Sequence, residues 1–442
     1  MLKSAAAIPI RWRIFSFLFG FGFLAYVQQK TITVAADRMM PELGITQFQI
    51  GVIETAFIAG YAIFQLPGGV IGQHLGARRT FVVIGLLAFA ATLATPLIPY
   101  LLPSAALFVA LLTAQALLGV AQGPIFPVCA GVFEAWFPPK RWTLVQGLQT
   151  MGLGLGAALT PPLIETLTLR MGWQRALIWA SLPALVLIAW WAWYGRNTPR
   201  EHPAVSPREL EQIGSQPAPP HSTISLRQLL DVVCDRDVLL LFISYMSMNY
   251  TFYLISNWVF LYLIQERHFS ALQSGYLAIA PPLGAAFGAG IGGVLTSAFT
   301  QRLGSLWGFR VVPLAALFSS ALLLLAAVNA SNPYFALAAL TLCFGAVELT
   351  EGAYWGAGMT VGRGDTMAVC GFMNTGGNLG GIIASLTIGY LSEHHDWRAA
   401  FLIGVGFVIV SALCWLAIRV IQGGQAAGEL APAAPREAGA EA

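Results

Sequence analysis

Ionisable side chains are scarce in the apolar stretches of this 442-residue chain, and the few found there are Lys30, Glu54, Glu348 and Glu351. A charge inside an apolar span is costly to hold and is a functional candidate by default. Lys30 lies in YVQQK (26–30). On a helix, Tyr26, Gln29, Lys30 and Thr33 fall at spacings of three and four and share one face. An ammonium on that face can hold an anion. The competing readings are a permanent pair with an acid such as Glu54 or Glu351, or a stem that snorkels to the interface. In VELTEGAYW (347–355), Glu348, Glu351 and either Tyr354 or Trp355 share a face in the same way. A carboxyl caught between desolvation and a nearby ammonium can take up and release a proton. Glu351 is the expected carrier, with Glu348 and Glu54 as alternates, and a structural salt bridge is the competing reading.

Neutral polar residues extend the pattern. Gln115 and Gln122 stand two turns apart, and glutamine donates and accepts hydrogen bonds without titrating. Asn249, Tyr253 and Asn257 recur every four residues in a run otherwise made of Leu, Phe and Ile, and Asn374 and Asn378 form another such pair. These suit recognition of hydroxyl, amide or carboxyl groups, and bonding between helices is the plainer alternative for each. Trp258 and Trp355 are candidate walls of the same space. Other chemistries find no support. There is no His-Glu-x-x-His, no phosphate-cradling glycine loop and no nucleophile beside a base. The five cysteines share no metal-ligand spacing. No cofactor, metal or nucleic-acid partner is expected, and a membrane-embedded enzyme or sensor is a remote reading.

The elements that must position these residues are apolar. Hydrophobic residues make up 57% of the chain and charged residues 10%, against about 25% charged in soluble domains. Mean hydropathy is +0.70. Runs long enough to cross a bilayer lie near 14–35, 48–70, 80–100, 105–135, 143–166, 176–194, 238–263, 273–299, 311–329, 335–358, 366–390 and 399–420. The first is expected to be a retained span, since no cleavage site follows it. Residues 196–236 are charged and Pro-rich and read as a linker, within which Ser206-Pro207 marks a helix start. Residues 422–442 read as a disordered cytoplasmic tail. Of the 23 basic residues, all but Lys30, Arg38, Arg170, Arg175, Arg267 and Arg398 fall on the side of the two termini. That bias puts both termini in the cytoplasm.

The halves repeat. At an offset of 224, Gly147, Gly152, Leu155, Gly156 and Trp173 fall on Gly371, Gly376, Leu379, Gly380 and Trp397. Such glycines let helices approach closely. The expected domains are an N-terminal bundle (1–195), the linker, a C-terminal bundle (237–421) and the tail. Two such halves form a transporter architecture with its site near the midplane.

Residues 61–79, YAIFQLPGGVIGQHLGARR, resemble the loop motif of the major facilitator superfamily, with Gly69, Gly76, Arg78 and Arg79 matching and Gln73 at the acidic position. GPIFPVCAGVFEAWFPPKR (123–141), LGAALTPPL (155–163), RNTPREHPAV (196–205) and MNTGGNLGG (373–381) resemble its anion:cation symporter family, which includes sugar-acid transporters. The resemblance implies an all-α membrane protein of twelve transmembrane helices in two pseudo-symmetric six-helix bundles. It implies a monomer in the cytoplasmic membrane that carries a small organic anion, coupled to protons, with an uncoupled facilitator or exchanger as the alternative. It also implies a gating role for the motif, in which Arg78 and Arg79 help lock the halves. The departures bear on mechanism. The family's Asp-Arg pair on the first helix is Gln28-Gln29 here, and its Arg and Glu on the fourth are Gln115 and Gln122. Ser297 stands where the second half's loop motif usually has an acid. With Gln73 in place of the acid, the charge-based part of the latch is expected to be weakened.

Overall fold

A computed structural model of the chain describes residues 8–214, 226–362, 364–394 and 396–420. The proposed tail and residues 215–225 of the linker lie outside them. The helices, in order, are α1 (Ile10–Leu43), α2 (Gln47–Leu75), α3 (Ala77–Leu101), α4 (Ser104–Gln122), α5 (Ile125–Trp136), α6 (Trp142–Met171), α7 (Trp173–Tyr194) and α8 (Pro207–Ile213). There follow α9 (Leu226–Val233), α10 (Arg236–Gln265), α11 (Ala271–Leu277), α12 (Ala280–Asn329), α13 (Pro333–Glu348), α14 (Glu351–Gly362), α15 (Thr366–Glu393) and α16 (Trp397–Ala417). No strand occurs among the described residues.

Nine segments among the described residues are long and apolar enough to cross a membrane. One of them, Gln273–Asn329, holds two crossings. At Gly304 the backbone takes φ 77° and ψ 173°, and a Cβ on Gly308 would strike the backbone of Thr300. Residues eight apart on a straight helix are ~12 Å apart, so α12 doubles back at Gly304. Gly76, at φ 76°, makes the matching turn between α2 and α3; both turns lie in the left-handed region that favours glycine. The helices α6 and α15 have the length of a crossing but are diluted by Gln, Thr, Gly and Asn. With both legs of α12 and these two helices, the crossings number twelve, six in each half. The pairs α4–α5 and α13–α14 each make one broken crossing.

The repeat is physical. Gly147 of α6 packs on Ala289 and Gly293 of α12, and its counterpart Gly371 of α15 packs on Gln65 and Leu66 of α2. Gly152 and Gly156 face Phe19 and Phe23 of α1, while Gly376 and Gly380 face Phe242 and Met246 of α10. A Cβ at Gly147 would lie 2.5 Å from the Ala289 carbonyl oxygen, and one at Gly371 would lie 2.7 Å from that of Gln65. The glycines thus serve close packing within and between the halves. The repeated tryptophans also act alike: Trp173 donates to Glu42 (2.6 Å) and Trp397 to Gln265 (3.2 Å). A further pair at the same offset sets helix starts. Thr46 and Gln49 form a capping box at α2, and Ser270 and Gln273 form one at α11.

The first part of the linker is anchored. Ser206 caps α8 with Pro207 at its first position, and Glu209 accepts from the backbone N–H groups of Ile10 (3.1 Å) and Arg11 (3.0 Å). A carboxylate so placed satisfies two of the free N–H groups at the start of α1 and complements its dipole. The end of the molecule holding this contact is called the terminal face below.

Candidate functional site

Between the halves lies a cavity of about 530 Å³. It is built around the two breaks in the broken crossings. Gly123-Pro124 ends α4 at Gln122, and Leu349-Thr350 ends α13 at Glu348. Both terminal residues line the cavity, one from each half. Broken helices facing one another at mid-depth free polar groups where an apolar helix would offer none.

Most of the residues singled out in the sequence meet here. Tyr26, Gln29, Lys30 and Thr33 of α1 form the predicted face on one wall. Opposite stand Asn249, Tyr253 and Asn257 of α10, Asn374 and Asn378 of α15, and Glu348, Glu351 and Trp355. Phe57, Phe126, Phe252 and Phe344 supply apolar surface. Lys30 is half-buried, and no carboxylate of a described residue comes within 4.0 Å of its nitrogen. The permanent pair considered from sequence is therefore absent. Glu54 is engaged with Thr33, whose hydroxyl donates to it at 2.7 Å, and it does not line the cavity.

The two glutamates of the C-terminal half differ. Glu351 accepts from Trp355 Nε1 (2.8 Å) and from the Tyr245 hydroxyl (3.3 Å). Glu348 is buried, faces the cavity and has no hydrogen-bond partner among the described residues. On α15, Asn378 donates to the Asn374 carbonyl and accepts from the Tyr253 hydroxyl (3.4 Å). Asn249 donates to the Tyr245 carbonyl (2.9 Å).

Some expected residues lie elsewhere. Tyr354 points away from the cavity into a buried cluster with Ser244 and Ser411, both at 2.6 Å. Within α14 it is Trp355, one turn on at i+4, and not Tyr354 at i+3, that bonds Glu351 and lines the cavity. Gln115 is buried against α3, where it reaches the Thr95 hydroxyl at 3.4 Å, and so lies outside the cavity. Trp258 packs near Gly389 and is not part of the lining. Tyr61, Tyr245 and Phe126 belong to the cavity and were not singled out from sequence. Tyr61 lies in the quoted loop motif, but its aromatic type alone carries no signal.

Toward the terminal face, hydrogen bonds cross between the halves. Gln73 Nε2 donates to the Gly364 carbonyl (3.0 Å) and to Asp365 Oδ1 (2.9 Å). In the mirrored position, Ser297 donates to the Lys140 carbonyl (2.7 Å). Thr143 reaches the Gly293 carbonyl (3.4 Å), and Gln146 reaches Met359 Sδ. Gly69 lies against the Met367 carbonyl, where a Cβ would clash. Gln73 therefore bridges the halves as a neutral donor, in place of the charge an acid would bring to the latch. Arg78 is bound within its own half, to Ala192 and Asn197, and Arg79 is exposed. Neither basic residue spans the gap in this arrangement.

Two pseudo-symmetric six-helix bundles enclosing a cavity with polar groups at two broken helices define a multi-pass membrane transporter. The chain belongs to the Major Facilitator Superfamily, whose sequence signature runs over residues 18–362. It is 26% identical over 399 residues to the probable sulfoacetate transporter SauU of Cupriavidus necator, covering 90% of this chain and 91% of that one. It is 26% identical over 405 residues to the hexuronate transporter of Bacillus subtilis, covering 90% and 92%. Among solved structures, the transporter FucP in its outward conformation superposes with a TM-score of 0.71 at 16% identity, covering 91% of this chain and 98% of that one.

Proposed function

We propose that this protein is a secondary transporter that carries a small organic anion, a carboxylate such as a sugar acid or an aromatic acid, across the cytoplasmic membrane. The observation that carries this reading is Lys30, an ammonium without a carboxylate partner facing a cavity between two bundles. A charge in an apolar span that no described carboxylate contacts within 4.0 Å is retained at a cost, and an anionic ligand is what would contact it. Similarity to transporters named for sulfoacetate and hexuronate supports the same class of cargo.

The mechanism follows from the two faces. In the arrangement described here, the bridges made by Gln73 and Ser297 hold the terminal face closed. That face is cytoplasmic in the orientation favoured by the basic residues, so the cavity is offered to the outside. The anion enters and meets Lys30, with Gln29, Gln122 and the α10 and α15 polar groups binding its neutral parts. The bundles 1–195 and 237–421, joined by the 196–236 linker, then rock about the α2–α15 and α6–α12 contacts. Glu351 carries the coupling proton, with Glu348, three positions before it in the chain, as the alternate. The protein acts as a monomer, because each chain holds a complete cavity.

Uptake by reconstituted proteoliposomes tests this reading. A labelled organic acid is expected to accumulate when the outside is made acidic, and Lys30→Gln is expected to abolish accumulation. If Glu351→Gln still accumulates the acid in a pH-dependent way, Glu351 is not the carrier. One observation favours a second reading, an exchanger or facilitator: the family's four charged positions on the first and fourth helices are Gln28, Gln29, Gln115 and Gln122. Strict counterflow with no internal pH change would select it.

A further inference from the structure

The cavity is electrically lopsided. One wall, from α1, carries a single ammonium, Lys30. The opposite wall carries two carboxyl groups three positions apart in the chain, Glu348 and Glu351. Glu351 is already occupied by two donors, Trp355 and Tyr245. Glu348 is buried, faces the space and has no hydrogen-bond partner among the described residues. Its carboxyl opens onto the cavity with acceptor capacity that no described side chain uses, and a ligand that donates to it fills that capacity.

From this arrangement we infer that the cargo is a monoanion: one carboxylate at Lys30 and, at its far end, a hydrogen-bond donor such as a hydroxyl or amino group directed at Glu348. The inference rests on the transport reading above and sharpens its substrate class. A dianion has one cation to meet and would set its second carboxylate against the glutamate wall. Like charges forced together across a desolvated site repel and weaken binding. Proton coupling leaves this repulsion in place, because a pair that carries one proton keeps one negative charge. The body of the ligand is also constrained. Phe126 and Trp355 approach across the halves with ring centroids 6.1 Å apart, and Phe252 and Phe344 lie 5.2 Å apart beside the same space. These rings suit a flat apolar body, and a carboxylate and donor at opposite ends of one ring match the polarity of the two walls.

The test uses the purified full-length protein and four probes: 4-hydroxybenzoate, benzoate, terephthalate and D-glucarate. Binding is followed by isothermal titration, and competition by proteoliposome uptake. The expected order places 4-hydroxybenzoate first, benzoate second and the two dianions at least about tenfold weaker than the first. Glu348→Gln is expected to narrow the gap between 4-hydroxybenzoate and terephthalate to about threefold or less, since the amide can donate to a carboxylate. Lys30→Gln is expected to remove binding of all four. Terephthalate or D-glucarate binding as tightly as 4-hydroxybenzoate overturns the inference and leaves the transport reading standing. So does an unchanged ratio in a folded Glu348→Gln protein. If no organic acid is bound or taken up at all, the transport reading fails and this inference falls with it.

Discussion

The side-chain amide of Gln122 donates to Gln28 Oε1 at 3.1 Å, joining the two helix positions that hold acids in the resembling sugar-acid transporters. The same nitrogen also reaches the Ala25 carbonyl at 3.1 Å. Two positions that resemble proton sites have become a neutral clasp between α1 and α4. A buried donor that loses its partner, or leaves its partner bare, costs about 1–3 kcal/mol. Gln122→Leu strands the Ala25 carbonyl and Gln28 together, so a lowered melting temperature is expected. The pH dependence of uptake should be unchanged, because neither glutamine titrates. Differential scanning fluorimetry and proton-driven uptake, measured on the same preparation, check both halves of this statement.

Legibility from sequence tracked how local each feature is. Apolar run length gave the crossings, because the bilayer fixes helix length. The α1 face of Tyr26, Gln29 and Lys30 was readable because three-and-four spacing holds along an unbroken helix. On α14 the spacing left Tyr354 and Trp355 both open as partners of Glu351, and the packing selects Trp355 while Tyr354 turns to Ser244 and Ser411. Gln115 and Gln122 share a face by spacing, yet one packs on α3 and the other on α1. Which neighbour a helix face meets is a tertiary fact that periodicity does not contain. The capping boxes Thr46–Gln49 and Ser270–Gln273 were present in the sequence at the offset already in use and would have strengthened the repeat. The bridge from Gln73 to Asp365 was out of reach, since it depends on how the last turn of α2 and the start of α15, 292 residues apart in the chain, come to register.

Lys30 should show opposite signs in stability and in function. Its ammonium is half-buried and lacks a carboxylate partner, so it destabilises the empty protein. Lys30→Gln is expected to raise the melting temperature of the ligand-free protein. The same change should weaken binding of any transported carboxylate by about a hundredfold, in line with loss of a desolvated charge pair. A variant that loses both stability and binding would indicate a structural role for this lysine.

His202 gives the linker a pH response. It is buried at the terminal face against Trp136 and Tyr194, with ring centroids 6.0 and 4.7 Å away, and its Nδ1 accepts from the Ala204 N–H at 3.2 Å. Burial lowers its pKa below the ordinary 6.5, Arg196 and Arg13 add to that, and Glu209 opposes it. The folded segment therefore holds the neutral ring. Its contribution to docking is complete above 6.5 and declines as pH falls through the lower folded-state value. Limited proteolysis of the 196–214 segment should accelerate in mildly acidic buffer. His202→Phe keeps the ring packing without the titration and should flatten that dependence.

The latch at the terminal face makes a prediction whose sign runs against the family motif. Restoring the motif's acid with Gln73→Asp removes the donor and sets a carboxylate beside Asp365 and the Gly364 carbonyl, all three acceptors. The closed arrangement should be weakened, not strengthened. Like-charge apposition at a partly buried contact costs on the order of 1 kcal/mol or more, enough to shift a two-state population several-fold. A cysteine introduced at Ser256, which is exposed and lines the cavity, reports on access from the far side. Its labelling by a membrane-impermeant maleimide should slow in Gln73→Asp relative to the parent. Adding Asp365→Asn to that variant supplies a new donor opposite the carboxylate and should restore the rate. Faster labelling in Gln73→Asp would mean that the acid strengthens closure, and that the hydrogen bonds made by Gln73 contribute little to holding the face shut.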